Sequence, residues 1–413
     1  MNGLVERLLE PVVLEAMDSA RVTAIVGPRQ AGKTTLVRSV AAKRGLGYVT
    51  LDDDTVRRAA ADDPPGFVSL LAPPIAIDEV QRVPELMLAL KRVVDDRPDP
   101  GSFLITGSSN LQTSSRIADA LPGRVDYLEL GPFSERELER GSGSVVDRLF
   151  AEEWAPVSVA ELGRTAIADR VVIGGFPEAR LRPERARARF FDGYVRSMVE
   201  REAADASSLR TLDRLGDTFR LVVSRSGASA EPYVLGSELG LDGRTAASHV
   251  QVLEQLFAIR SLPAWSTNLG ARVTRAHRLY VADSGLHAAM LGVDRDAFVR
   301  DLDGRLAGPL TETFVVNEIL RQAAWAETPT RASYYRDNRQ REIDMILEAG
   351  RRVVAIEIKS AASASAMDAR HLAFLRDRIG DRFVRGFVLY TGEATVALGD
   401  RLVAAPIGSL WAP

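Results

Sequence analysis

Residues 27–34, with the sequence GPRQAGKT, constrain the fold of this chain more than any other segment. They fit the pattern G-x-x-x-x-G-K-[ST] and lie between an apolar run at 22–26 and a helix-like stretch at 34–42. Glycines in such a loop let backbone N–H groups surround a phosphate, and the N-terminus of the next helix favours the anion. We therefore predict a nucleotide-binding loop. Its predicted nucleotide contacts are Gly27, Pro28, Arg29, Gln30, Ala31, Gly32, Lys33, Thr34 and Thr35.

The pattern on both sides of this loop predicts an α/β fold. Strands that alternate with helices are typical of a parallel, doubly wound sheet. We assign residues 1–140 to this P-loop NTPase core, with an amphipathic helix at 1–20 before the sheet. After the run at 22–26, further apolar runs occur at 48–51, 75–77, 103–106 and 125–130, with helical segments such as 84–94 between them.

Two acids, Asp78 and Glu79, directly follow the apolar run at 75–77. Acids at a strand end are often only helix N-caps. Beside a phosphate-binding loop, however, Lys33 reaches the β- and γ-phosphate oxygens, Thr34 binds Mg²⁺, and Asp78 holds the ion through water. Glu79 would then polarise the attacking water. Because the guanine-reading sequence N-K-x-D does not occur in the chain, we predict ATP and Mg²⁺ as cofactors, with Lys33 and Glu79 as catalytic residues.

Two further positions are candidates for contact with the γ-phosphate. The run at 103–106 ends in a polar cluster, in which Ser108, Ser109 and Asn110 are equivalent by sequence; we assign Asn110 to nucleotide binding. Arg124 precedes the run at 125–130, where its guanidinium could act catalytically on the nucleotide of a neighbouring subunit. A solvated arginine, or one paired within a lid, is an equal alternative, because 49 of the 53 basic residues are arginine.

The order of these motifs resembles the bacterial and archaeal AAA-type ATPases of the AAA+ superfamily whose C-terminal half is a family of unknown function. The resemblance rests on the lysine loop, the Asp-Glu strand end, the Thr-Gly-Ser-Ser strand end and the Gly-Arg pair before the last strand. The segment LGPFSERE at 130–137 and the segment GGFPE at 174–178 also carry it. It covers nearly the whole chain and implies an ATP-binding protein, in a family whose biological roles are mostly unassigned.

The middle of the chain is predicted to form two further parts. Residues 141–205 begin with the flexible sequence GSGS and form an arginine-rich helical lid or linker. Residues 206–300 show the order helix, turn, helix and hairpin, which resembles a winged helix with a recognition-type helix at 244–257. The polar candidates for DNA contact near the start of that helix are Arg244, Thr245, Ser248, His249 and Gln251.

Four arginines at 260, 272, 275 and 278, with no acid between them, predict a positive face on the hairpin. DNA is therefore a predicted partner. Since residues 201–300 are nearly neutral overall, and winged helices also dock proteins, a protein partner is the alternative.

Asp344 and the sequence Glu357-Ile-Lys359 fall on two consecutive predicted strands of residues 301–413. Alternate side chains of a strand share a face, so Glu357 and Lys359 point together. The pattern resembles the D…(D/E)-x-K motif of the restriction-endonuclease-like superfamily. This resemblance implies Mg²⁺ held by carboxylates and a lysine that activates water. Glu312 offers a further carboxylate from the preceding helix, whereas Glu318 lies about 240° further round that helix.

At this second site we assign catalytic roles to Asp344, Glu357 and Lys359, and metal binding to Glu312, Asp344 and Glu357. A surface ladder of Glu and Lys side chains is one alternative. A nuclease fold that binds without cutting is another. In that case the chain would be a nucleotide-switched protein-interaction module.

Composition adds a few exclusions. No cysteine occurs among the 413 residues, which excludes disulfides and thiolate chemistry, and a net charge of −3 argues against a wholly basic nucleic-acid coat. We expect a cytoplasmic protein without membrane contact, because no stretch approaches ~18 uncharged apolar residues. The oligomeric state stays open. Two of the four lysines, Lys33 and Lys359, lie at the two predicted phosphate sites, where a compact ammonium suits the chemistry.

Overall fold

The first part of the computed structural model is a parallel sheet. The structure describes residues 5–96, 99–108, 123–155, 159, 162–199, 214–266 and 276–412. The strands of this sheet are β1 (Val22–Val26), β2 (Gly47–Thr50), β3 (Ile75–Asp78), β4 (Phe103–Gly107) and β5 (Val125–Glu129). Their order is β2-β3-β4-β1-β5, and each neighbouring pair is parallel. The predicted parallel α/β sheet is thereby confirmed; its central strands β1, β3 and β4 are buried on both faces and therefore read as continuous apolar runs.

Helices cover both faces of this sheet, so alternate residues of β1 enter two different hydrophobic clusters. The predicted helix at 1–20 begins only at Glu10, because Pro11 lacks the N–H that a preceding turn would need. Arg7 therefore lies before the helix. The helices are Glu10–Ser19, Lys33–Arg44, Asp54–Asp62, Pro64–Leu70 and Leu86–Asp96, with a 3₁₀ turn at Val80–Arg82.

The middle of the chain is helical, with one small antiparallel sheet. This sheet contains β6 (Ser229–Ala230), β7 (Ile259–Leu262) and β8 (His277–Val281), with β8 at its centre. The helices are Glu135–Leu138, Val145–Leu149, Arg164–Ile173, Pro177–Arg180, Glu184–Ser197, Leu215–Ser224, Pro232–Leu239, Gly243–Gln255, Ser284–Leu291 and Arg295–Arg300.

The last part is a six-stranded mixed sheet with two helices. Helix Ala307–Ala323 comes first and helix Arg370–Ile379 follows β11, with 3₁₀ turns at Gly380–Arg382 and Ile407–Leu410. The strand order is β13-β14-β12-β11-β10-β9; β9, β10 and β11 are antiparallel, whereas β11, β12 and β14 are parallel. The strands are β9 (Arg331–Arg336), β10 (Glu342–Ala349), β11 (Arg352–Lys359), β12 (Phe383–Tyr390), β13 (Val396–Gly399) and β14 (Leu402–Pro406).

One hydrophobic cluster joins the last two thirds of the chain. It contains Val145 and Ile167 from the predicted lid, Tyr280 from β8, and many residues of helix Ala307–Ala323 and the six-stranded sheet. The helices at 145–149 and 164–173 both contact helix Ala307–Ala323. The predicted domain boundaries stay predictions. In the described part of the chain, no helix has both the length and the apolar character needed to cross a membrane.

Candidate functional site

The loop 27–34 leaves the carboxyl end of β1 and enters helix Lys33–Arg44. Gly27 has a φ of 149° and Gly32 a φ of 98°, angles that side-chain-bearing residues rarely adopt. A Cβ on Gly27 would lie 2.2 Å from the carbonyl oxygen of Leu130, which directly follows β5. The loop conformation therefore requires glycine at position 27. Gln30, also left-handed with a φ of 61°, and Thr35 are exposed.

Lys33 is buried within this loop. Its Nζ donates to the carbonyl oxygens of Gly27 at 2.9 Å and Pro28 at 3.0 Å. A buried ammonium needs such acceptors, or anionic oxygens in their place. The helix that begins at Lys33 adds the positive end of its dipole at the same point. The loop is thus suited to bind an anion such as phosphate.

Asp78, the last residue of β3, accepts hydrogen bonds from three hydroxyl groups at the carboxyl edge of the sheet. Thr34 Oγ1 donates to its Oδ2 at 2.9 Å and the Tyr48 hydroxyl donates to the same oxygen at 3.0 Å. Thr106 Oγ1 donates to its Oδ1 at 2.5 Å. A hydroxyl beside a carboxylate is a donor set that fits Mg²⁺, which takes oxygen ligands and keeps several waters. Sequence reasoning identified Thr34 and Asp78 but missed the role of Tyr48.

Glu79 is held in a defined position next to Asp78. Its backbone is left-handed, with a φ of 61°, and its N–H donates to Thr106 Oγ1 at 2.9 Å. Gln81 Nε2 donates to Glu79 Oε2, and Ser108 Oγ donates to the same oxygen at 3.2 Å. Ser108 is thus the member of the predicted polar cluster that contacts Glu79. The assigned residue Asn110 lies outside the described residues.

Arg7, which precedes the first helix, donates hydrogen bonds to the loop. The sequence did not predict this contact. Its guanidinium donates to the carbonyl oxygens of Ala31 at 2.8 Å and Gly131 at 2.7 Å, and its Nε donates to Glu137 Oε1 at 2.9 Å. Burial lowers the pKa of Arg7, although Glu137 opposes this effect. The loop is therefore tied to the segment that follows β5. Arg7 lies 24 residues from Ala31 in sequence, so no local motif indicates the contact.

Arg124 lies at the edge of the sheet opposite to the loop. It precedes Val125, which pairs with Val22 at the start of β1, whereas the loop follows the end of β1. Strand residues advance about 3.3 Å each, so the length of β1 separates Arg124 from the loop. Its Nε donates to Asp95 Oδ1 at 2.5 Å. Arg124 is therefore not part of this chain's own nucleotide site, and its role at a neighbouring subunit stays a prediction.

The structure brings the residues of the second predicted site together. Asp344 on β10 accepts the N–H of Ile358 at 2.8 Å, and Lys359 Nζ lies 2.7 Å from Glu357 Oε1 on β11. Burial raises the pKa of Glu357, and the nearby Asp344 carboxylate adds to the shift. These residues form part of the lining of a cleft of about 280 Å³. Its lining is Gln340, Glu342, Asp344, Glu357, Lys359, Asp368, Arg370 and His371.

The predicted metal ligands at this cleft do not fit a metal ion as folded. Glu357 Oε2 is buried without a hydrogen-bond partner among the described residues, which would suit a cation ligand. Arg278 on β8, however, lies 3.0 Å from Glu312 Oε1 and 3.3 Å from Asp344 Oδ1. Within the described ranges, no three His, Asp or Glu side chains are placed to hold a metal ion. A guanidinium thus already binds two members of the predicted set of Glu312, Asp344 and Glu357, and metal binding by this set stays a prediction.

The predicted DNA-facing helix, Gly243–Gln255, presents only part of its polar set to solvent. Arg244 and Gln251 are exposed. His249 is fully buried, and its Nδ1 shares a hydrogen bond of 2.8 Å with Thr218 Oγ1. Its prediction as a DNA contact is therefore wrong, because His249 lies on the face of the helix that packs inward with Ala246 and Val252.

The two described arginines of the predicted positive face, Arg260 and Arg278, are both engaged with acids. Arg260 on β7 forms an ion pair with Glu129 at the end of β5, and Arg278 is buried against carboxylates. Both arginines thus neutralise acids of this chain. Arg272 and Arg275 lie outside the described residues.

Comparisons with known proteins match three separate stretches of the chain. Residues 19–139 match the model of an AAA domain, which confirms that the first part is an AAA-type P-loop ATPase domain. Residues 164–297 and 307–410 match two domains of unknown function, DUF8612 and DUF4143. The second of these three stretches spans the predicted boundary at 205.

The similar proteins do not assign an activity to this chain. An uncharacterized protein of Mycobacterium tuberculosis, Rv2008c, is 28% identical over 392 residues, which are 95% of this chain and 81% of the relative. The Walker-type ATPase PABY2304 of Pyrococcus abyssi has a TM-score of 0.46 and 13% identity, covering 70% of this chain and 96% of that one. The RuvB Holliday junction branch migration motor of Thermotoga maritima has a TM-score of 0.28 and 18% identity, covering 62% and 89%. Structural overlaps of this size carry no argument about function.

Proposed function

We propose that this chain binds Mg·ATP at the loop 27–34 and hydrolyses it. The observation that carries the proposal is the hydrogen bond of 2.9 Å between Thr34 and Asp78, with Lys33 buried in the adjacent loop. A loop lysine, a hydroxyl and a strand-end carboxylate at one sheet edge are the parts that phosphoryl transfer needs. The AAA domain match to residues 19–139 supports the same reaction.

Each residue has a distinct task in this reaction. The loop and Lys33 bind the phosphates, and Thr34 and Asp78 would hold Mg²⁺, which neutralises charge on the transferred phosphoryl group when bound. Glu79 accepts the proton of the attacking water. Gln81 and Ser108, which both donate to Glu79 Oε2, orient that carboxylate. Such positioning matters because catalysis of phosphoryl transfer is mostly placement and electrostatics.

We further propose that the nucleotide state repositions the middle and C-terminal parts on DNA. The order of helices and hairpin in residues 206–300 is compatible with a winged helix, and the cleft that includes Asp344, Glu357 and Lys359 is compatible with a nuclease-like fold. Exposed Arg244 and Gln251 on helix Gly243–Gln255 are the candidate DNA contacts that remain.

A second candidate is a nucleotide-switched protein-interaction module with an inactive nuclease-like part. One observation favours it: both described arginines of the hairpin are engaged with acids of this chain. Under this proposal the partner would be a protein. DNA binding would then be absent or insensitive to salt.

The experiment is an ATP-turnover assay on the wild type, Lys33→Ala and Lys43→Ala, with and without DNA at low and physiological salt. Lys43 is the matched control, because it is a largely exposed lysine of the same helix that pairs with Glu10. We expect Lys33→Ala to lose turnover by about 100-fold or more, as when a charge-stabilising donor is removed. Wild-type turnover in Lys33→Ala would refute the ATPase proposal. Stimulation by DNA that weakens with salt would favour the DNA proposal, and its absence would favour the protein-interaction module.

A further inference from the structure

The carboxylates of the second site are covered by β8, a strand of the middle part of the chain. Arg278 is 4% exposed and reaches Glu312, Glu342 and Asp344 together. Two positions along the same strand, the Tyr280 hydroxyl donates to Glu312 Oε1 at 2.6 Å. Residues i and i+2 of a strand share a face, so β8 presents both groups to the cleft side. The backbone at Gly227 also lies close to Glu312, since a Cβ on Gly227 would lie 3.1 Å from the Glu312 carboxylate.

Charge explains why this contact is stable. A buried carboxylate cluster needs a cation, because each isolated buried charge is costly. The guanidinium stays protonated in proteins and offers several donors in one plane, so one side chain can bind several carboxylates. Lys359 pairs with Glu357 in the same cleft, so two cations of the chain itself serve the cluster. The ring of Tyr334, 4.9 Å below the Arg278 guanidinium, adds a cation–π contact.

We propose that Arg278 is a built-in cation that closes the carboxylate site to divalent metal ions. A metal bound by Glu312 and Asp344 would require the oxygens that Arg278 now contacts, so the two cations compete for the same ligands. Metal binding then requires β8 to move away from helix Ala307–Ala323 and β10. This inference rests on the proposed nuclease-like site and is independent of ATP hydrolysis at the loop 27–34.

The test is calorimetric titration of the full chain with Mn²⁺, without nucleotide. The variants are Arg278→Ala, Asp344→Asn, the combination of these two changes, and Arg260→Ala. Arg260 is the matched control, because it lies on the neighbouring strand β7 and its acidic partner, Glu129, is outside the cleft. We expect Arg278→Ala to bind Mn²⁺ at least about tenfold more tightly than the wild type. The reason is that this variant lacks the cation that competes with the metal for the carboxylate oxygens. The gain should vanish with Asp344→Asn, and Arg260→Ala should behave as the wild type.

Two results would overturn the inference. One is equal Mn²⁺ affinity of the wild type and Arg278→Ala. The other is tight Mn²⁺ binding by the wild type that Asp344→Asn abolishes, because the site would then be open with Arg278 present.

Loss of Arg278 can also unfold the chain, since it leaves the carboxylates uncompensated. Thermal melting with and without Mn²⁺ addresses this case, because a metal that binds the folded state raises the melting temperature. We expect Mn²⁺ to raise the melting temperature of Arg278→Ala more than that of the wild type. If Arg278→Ala does not fold even with Mn²⁺, Arg278→Gln decides, because it removes the positive charge but keeps a polar side chain: tighter binding than the wild type supports the inference, and equal binding refutes it.

A DNA-cutting assay on Mn²⁺-loaded Arg278→Ala separates this inference from the proposed function. Metal binding without cutting supports the role of Arg278 and refutes the nuclease proposal. Metal binding with cutting that Lys359→Ala abolishes supports both.

Discussion

At the scale of residues, the two candidate sites balance charge in different ways. Lys33 donates to carbonyl oxygens of its own loop, and the oxygens of a phosphate can take the place of these acceptors. Arg278 is bound by carboxylates, so its removal leaves buried negative charge. The first site is thus ready for an anion, whereas the second already contains its cation.

Arg7 gives a prediction at the same scale. We expect Arg7→Ala to lower the free energy of unfolding by about 3 kcal/mol or more, because it leaves the buried Glu137 carboxylate without its cationic partner. It should also weaken ATP binding, since the carbonyl of Ala31 in the loop loses its donor. Urea unfolding and nucleotide titration measure the two effects.

The control for Arg7 is Arg57→Ala, which removes a partly exposed ion pair with Asp54. Such pairs contribute less than about 1 kcal/mol. An effect of Arg7→Ala as small as that of the control would contradict the supporting role assigned to Arg7.

At the scale of elements, helix Ala307–Ala323 contacts two different regions with its two sides. Glu312 contacts Arg278 of β8, whereas Glu318 accepts the backbone N–H of Glu135 at 2.9 Å at the start of a short helix. Arg321 donates to the carbonyl oxygen of Phe133 at 2.9 Å and to Asp283 Oδ2 at 3.0 Å. The separation of Glu312 and Glu318 follows from their spacing on one helix.

Glu318 predicts a pH dependence of stability. Burial raises its pKa to about 7, and the Glu135 carboxylate adds to the shift. Between its unfolded pKa of about 4.3 and its folded pKa, the folded state therefore binds more protons, and the free energy of unfolding falls as pH rises. The glutamine of Glu318→Gln cannot ionise. The free energy of unfolding of this variant minus that of the wild type should therefore rise by up to about 3 kcal/mol between about pH 5 and about pH 8.

Urea unfolding of both proteins at the two pH values measures this difference. The control is Glu178→Gln, which makes the same change at an exposed carboxylate. A difference between the wild type and Glu318→Gln that stays constant with pH would show that the buried carboxyl group does not titrate in this range.

The sequence predicted the elements with strong local patterns and missed those without them. The run VTAIV of β1 has the observed bounds, because it is buried on both faces and ends at the glycine loop. Strand β9 was missed because Arg331 and Arg336 interrupt its apolar pattern at both ends. Strand β13 is short and mostly exposed, so it carries little apolar signal.

The candidate sites also contain residues with and without a local sequence pattern. Thr34, Asp78 and Glu79 follow from motifs whose residues are close in sequence. Arg7 and Arg278 do not, because each reaches its partners across the fold; Arg278 and Asp344 are 66 residues apart. The arginine at the predicted metal site was missed for this reason, since the carboxylates are visible in the sequence but the cation that binds them is not.

At the scale of the whole molecule, a continuous set of contacts runs from the nucleotide loop to the carboxylate cleft. Arg7 ties the loop to Gly131 and Glu137, and that segment meets Glu318 on helix Ala307–Ala323. Glu312, on the same helix, contacts Arg278 at the cleft. The AAA-type domain is therefore packed directly against the element that carries part of the second site.

The central claim is that this molecule hydrolyses ATP with Glu79 as the residue that activates water. The most direct measurement compares ATP binding and phosphate release by the wild type and Glu79→Gln. The account predicts that Glu79→Gln binds ATP as the wild type does but releases phosphate at least about 100-fold more slowly, the size of effect expected when a general base is removed. Phosphate release by Glu79→Gln at the wild-type rate would contradict it.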